Sequence, residues 1–151
     1  MFAFSTRLVT SLAVASLLAT TVSDIAGAQV ASFLPPIQHA GGIQYRTGGI
    51  GLDESTALLD AAKTSPLTLF FVTHFGGNTV YASATRVTLS DAKGKQLLEL
   101  KPDGPILLLD LAPGKYTIEA SYGQQSQTHK VDVEADKRKR LYFVWKEEEA
   151  G

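Results

Sequence analysis

From Tyr116 to Tyr122 the chain alternates without a break. Tyr116, Ile118, Ala120 and Tyr122 share one parity; Thr117, Glu119 and Ser121 share the other. A period of two is the pattern of a strand with one buried face, and no amphipathic helix can satisfy it. Pro113-Gly114 just before it is turn chemistry, because proline presets φ and glycine tolerates φ > 0. Gly123-Gln124-Gln125 closes the strand, and Thr128 to Val133 alternates again with His129, Val131 and Val133 inward. Arg140 to Trp145 is apolar on both parities, which predicts a strand covered on both sides.

The same pattern extends upstream. Leu67 to Thr73 reads as a strand, with Leu67, Leu69 and Phe71 on one face. Thr79 to Ala84 reads as a short edge strand, and Thr85 to Leu89 alternates with Val87 and Leu89 inward. Ser90 to Gly94 is a hairpin loop, Gln96 to Leu100 its return, and Ile106 to Leu109 the next strand. About seven strands at intervals of roughly 8–12 residues predict an all-β sandwich. The expected core is Leu69, Phe71, Val87, Leu89, Leu108, Tyr116, Ile118, Ala120, Val131, Val133, Phe143 and Trp145.

These residues also resemble a known family. Leu108-x-x-Leu111-Ala-Pro113-Gly114-x-Tyr116-x-Ile118-x-Ala120, followed by a turn and Val131-Asp-Val133, is similar to the carboxypeptidase regulatory-like (prealbumin-like, transthyretin-like) β-sandwich family. Val87-Thr-Leu-Ser-Asp91-Ala-Lys-Gly94 resembles that family's strand and hairpin. The likeness spans roughly Leu67 to Trp145 and implies a Greek-key sandwich in an exported bacterial member. It further implies a non-catalytic accessory module. The positions that carry over are the turn residues Asp91, Gly94, Pro113 and Gly114, in a structural role.

The N-terminus predicts export. Arg7 precedes the apolar, small-residue run Leu8–Val22, and Ala26-Gly27-Ala28 is a cleavage pattern before Gln29. The run is shorter than the ~20 residues of a spanning helix. Residues 1–28 are therefore read as a signal peptide. Residues 29–52 are read as an extended arm and glycine-rich segment, 53–64 as a short helix, 65–146 as the sandwich and 147–151 as a tail. The periplasm is the expected compartment, with the extracellular space as the alternative. The chain has no cysteine. That excludes disulfides, thiolate metal sites, cysteine nucleophiles and a lipidated cysteine at the cleavage site. With 14 basic and 15 acidic residues it carries no field that would attract nucleic acid.

Two stretches are candidate binding elements. Gly41 to Gly51 holds five glycines around Ile43–Thr47, so Tyr45 and Arg46 become candidates for partner contact. Its bland alternative is a connector capped by a small edge strand. Lys137-Arg138-Lys139-Arg140 is a basic turn, either a docking patch or a solvated hairpin that discourages edge aggregation. Asp53-Glu54 opens a predicted helix with Leu58, Leu59 and Ala62 as its buried stripe; the pair suits the helix dipole better than a cation site. His39, His74 and His129 have no metal-ligand spacing, and no serine sits in a nucleophile elbow. The sequence thus points to a binding module that takes an envelope protein or glycan through loops or an edge strand, with no cofactor, metal or nucleic-acid partner expected. A structural subunit or assembly factor of an envelope complex or surface appendage is the alternative. A small hydrolase or metal-dependent enzyme is a more distant one.

Overall fold

The computed structural model describes residues 32–84 and 86–147. The predicted signal peptide and most of the predicted tail lie outside these residues. The strands are β1 (Gln38–Ala40), β2 (Ile43–Gly48), β3 (Leu67–Phe75), β4 (Asn78–Tyr81) and β5 (Arg86–Asp91). They continue as β6 (Gln96–Leu100), β7 (Ile106–Asp110), β8 (Gly114–Tyr122), β9 (Gln125–Val133) and β10 (Lys139–Lys146); the helix α1 spans Leu52–Ala61. The chain is an all-β sandwich with one helix. Ten strands form among the described residues, against the seven or so that the sequence predicts.

One sheet has six strands in the order β1-β2-β7-β3-β10, with β4 paired to the distal half of β3. The other has four, in the order β6-β5-β8-β9. Every neighbouring pair is antiparallel except β3 and β10, which run parallel from Leu67↔Lys139 to His74↔Lys146. The register puts Leu67, Leu69, Phe71, Phe143 and Trp145 on the inner face. From the four-stranded sheet, Val87, Leu89, Ile118, Ala120, Val131 and Val133 meet them in one cluster. The expected core is buried with two adjustments. Tyr116 is half-buried, and Leu108 points the other way, into a second cluster on the outer face.

That second cluster explains α1. Leu58 and Ala62 pack on Phe70, Ile106 and Leu108, so the outer face of the six-stranded sheet is apolar and helix-covered. Leu59, expected in the buried stripe, is 38% exposed. Its place on the helix turns it away from the sheet while Leu58 points inward. Gly51 caps the helix without a side-chain bond. Glu54 instead reaches back and accepts the Gly49 N–H at 2.7 Å, satisfying a donor just before the first turn. The outer face of the four-stranded sheet is the opposite in character. Thr88, Thr117, Glu119, Thr128, Lys130 and Asp132 make it a solvated surface, the usual state of a half-exposed antiparallel sheet.

Two expectations change. Residues 38–48 are not a connector beyond the sandwich: β1 and β2 extend the six-stranded sheet, and β2 lies between β1 and β7. The segment is short, glycine-flanked and only weakly alternating, so its pairing is decided by β7 rather than by local pattern. β10 is not covered on both sides either: it is the last strand in its sheet, and Tyr142 on its outward face is half exposed. Its outward parity is apolar because Tyr142 stacks on Phe70, with ring centroids 4.8 Å apart. Its open carbonyls at Val144 and Lys146 accept bonds from the Gln127 and Gln125 side-chain amides of β9.

Candidate functional site

The candidates of the glycine-rich segment meet in a cleft. Tyr45 and Arg46 are consecutive on β2 and so leave the strand on opposite faces. Tyr45 packs against the main core, and its hydroxyl donates to Gln38 Oε1 at 3.1 Å. Arg46 lies on the outer face beside Leu108, and its guanidinium donates to the Pro35 carbonyl. That bond ties the 33–37 arm across the sheet, where Leu34 packs on the second cluster. Both side chains are half-buried and bonded within the chain.

The cleft holds about 360 Å³. Its floor is Leu108 and Ala61. One wall is Leu34 and Ile37 of the arm; another is Thr64, Ser65 and Pro66, which link α1 to β3. Gln44 and Asp110 complete the rim, directly opposite each other on β2 and β7. Ser65 donates to the carbonyls of Leu67 and Leu109 and fixes the α1–β3 link on the sheet. An apolar floor with a guanidinium, a carboxylate and an amide at its rim can seat an aliphatic or sugar-sized group and bond its polar edge.

The basic run does not act as one patch. Lys137 pairs with Glu134 at 2.7 Å, which raises the lysine pKa and lowers that of the exposed glutamate. Arg138 is exposed in the turn. Lys139 starts β10 and donates its backbone N–H to Pro66 O at 3.0 Å. Arg140 turns onto the outer face of the six-stranded sheet. There one cross-strand row reads Arg140, Thr68, Leu108, Arg46. The fold thus places Arg46 and Arg140 on the same face, about 14 Å apart at three strand spacings.

The turn residues have local structural partners. Asp91 Oδ1 accepts the N–H groups of Lys93 and Lys95 at 2.9 and 3.0 Å, and Gly94 stands at φ 81° in the same loop. After Pro113-Gly114, Tyr116 donates its hydroxyl back to Ala112 O at 2.7 Å, closing a tyrosine corner over the turn. Burial first, and then the Asp91 charge, raise the Tyr116 pKa.

A surface that the sequence did not single out lies at the far end of β3. The β3–β4 hairpin turns through Gly76 and Gly77 at φ 55° and 80°, the two-residue mirror-image turn that matches strand twist. All of β4 is exposed. On the outer face Val72 stands between Tyr81 (62% exposed) on β4 and Val144 on β10, and Tyr142 (53% exposed) lies one pair away on Phe70. The sequence places an edge strand at Thr79–Ala84 and the structure has it at Asn78–Tyr81, but four residues give too little alternation to show which side chains stand on the open face.

Among the described residues no three His, Asp or Glu side chains converge as metal ligands, and no helix is long and apolar enough to cross a membrane. No protein-family model and no curated protein matches the chain.

Proposed function

We propose that this chain is an exported, non-catalytic cell-envelope binding module of the prealbumin-like kind, periplasmic or secreted. It takes part of a protein or glycan partner in the cleft between the 33–37 arm, the end of α1 and strands β2 and β7. The observation that carries the reading is the convergence there of Arg46, Asp110 and Gln44 around the apolar floor of Leu108 and Ala61. Loops and arms held on a rigid sheet are where small domains carry recognition. Arg46 serves both roles: it anchors the arm through Pro35 and leaves its other N–H groups toward the rim.

The test uses Gln44, exposed at the rim, whose backbone pairs with β1 and β7 and whose side chain faces the cleft. A photoreactive residue at position 44, activated in intact cells, is expected to give one dominant adduct by mass spectrometry. The same probe at Lys130, on the solvated face, is the control. Identical adducts from both positions would reject the cleft. Retention of the chain in the cytoplasm on fractionation would reject the export part of the reading.

The assembly-subunit reading is supported by a separate observation, the exposed edge of β4. In that reading the arm does not cross into a neighbour, since Leu34 and residues 38–40 are already used within the chain.

A further inference from the structure

Five strands end their sheets among the described residues, β1, β4, β6, β9 and β10, each paired along one side. The β1–β2 turn lies so close on β6 that a Cβ on Gly41 would stand 1.8 Å from Leu97 O. At the other side the glutamines of β9 occupy the carbonyls of β10. β4 pairs with β3 alone.

Which backbone groups β4 leaves open follows from one contact. Ala82 donates its N–H to Phe71 O at 3.0 Å, so 71 and 82 form a bonded pair. Bonded pairs alternate along an antiparallel ladder. Val80 and Asn78 therefore bond inward, to Thr73 and Phe75. Thr79 and Tyr81 turn their N–H and C=O groups outward.

Native edges of this kind are usually blunted by lysine, proline or a bulge. β4 has none of these, and residues 75–84 contain no charged side chain. β6, β9 and β10, by contrast, all carry charge. Twofold self-pairing sets the residue on the axis against its own copy, so a charge there repels itself while an uncharged residue does not.

We infer that β4 is a seam between two copies of this chain. In a twofold antiparallel pairing, Val80 stands opposite Val80 of the other copy. Thr79 then exchanges both of its backbone bonds with Tyr81 of the other copy, so every outward group finds a partner. Val80, about half exposed, meets its counterpart on one face. Tyr81 continues the Val72–Val144 row on the other. A strand of four residues buries less than the ~1,000 Å² of a stable interface, so the dimer forms reversibly and with concentration. The seam is remote in sequence from the residues that line the cleft, and it stands whether or not the cleft binds a ligand.

The experiment is sedimentation velocity on the full chain from about 10 μM to about 1 mM, the range in which a small interface associates. The wild type is expected to pass from monomer to dimer. Val80→Lys and Val80→Glu should each raise the dimer dissociation constant at least about tenfold, through like charges directly opposite each other. An equimolar mixture of the two variants should restore the dimer. Tyr81→Pro removes one outward donor while leaving the β3–β4 bonds intact, and should also give monomer. Circular dichroism separates these outcomes from misfolding. A wild type monomeric throughout the range overturns the inference, as does association that ignores Val80 or a mixture that stays monomeric.

Discussion

Trp145 is the chain's single tryptophan and is 1% exposed. It stacks on Tyr122 at 5.4 Å, Phe143 at 6.1 Å and Phe71 at 6.2 Å, and so joins the two sheets. Trp145→Ala should cost about 3–5 kcal/mol in denaturant melts, from lost burial plus the cavity left behind. The indole N–H is buried without a partner. Trp145→Phe keeps an aromatic ring and removes that donor, so it should cost under about 2 kcal/mol. A loss under about 1 kcal/mol for the alanine variant would show that the ring does not bridge the sheets. The inner face of β8 was legible in the sequence, because strict alternation from Tyr116 to Tyr122 assigns it without reference to neighbours; on β10, apolar on both parities, the pairing with β3 turns Phe143 and Trp145 inward. The roles of Tyr45 and Arg46 were not legible. Whether a polar group meets a partner or a carbonyl such as that of Pro35 depends on where the arm lies.

At the scale of elements, the helix shows where local pattern stops. Leu58 and Leu59 are indistinguishable by type, and ten residues give a weak apolar stripe. Only the register of α1 on β3 and β7 separates them. Leu58→Ala should cost about 2–5 kcal/mol and Leu59→Ala under about 1 kcal/mol, read from the midpoints of urea melts. Equal losses would mean that α1 docks by a different face. β1 escaped, and the bounds of β4 shifted, for a related reason. Strands of three and four residues hold at most two repeats of their period, and their partners supply the rest of the specification. β10 was legible as a strand, but its two apolar parities predicted cover on both sides. The cover on its edge comes from Gln125 and Gln127, which look like ordinary polar residues in an alternating strand.

For the molecule as a whole, β8 carries a half-buried tyrosine near each end. Tyr116 is raised by burial and then by the Asp91 charge. Tyr122 is raised first by its hydroxyl bond to Glu147, then by burial and the carboxylate charge. In the unfolded chain both ionise near 10.0, and in the folded chain they ionise later. Their contribution to stability is therefore complete below pH 10 and is lost as pH rises through the folded values. Thermal melts from about pH 8 to about pH 11 should show a level melting temperature and then a fall. Tyr122→Phe should flatten part of that fall, and an unchanged alkaline slope would assign it elsewhere.

The parallel pairing of β3 with β10 also bears on how the chain is made. Residues 67–74 wait for 139–146 before their ladder is complete. A polypeptide emerging from its N-terminus must therefore carry this apolar strand without its β10 partner until residues 139–146 have been delivered. Contacts of such sequence separation slow folding toward the millisecond-to-second range. During that interval Leu69, Phe71 and their neighbours are what a holding chaperone would grip, and truncation even a few residues into β10 would leave that grip with nothing to release to.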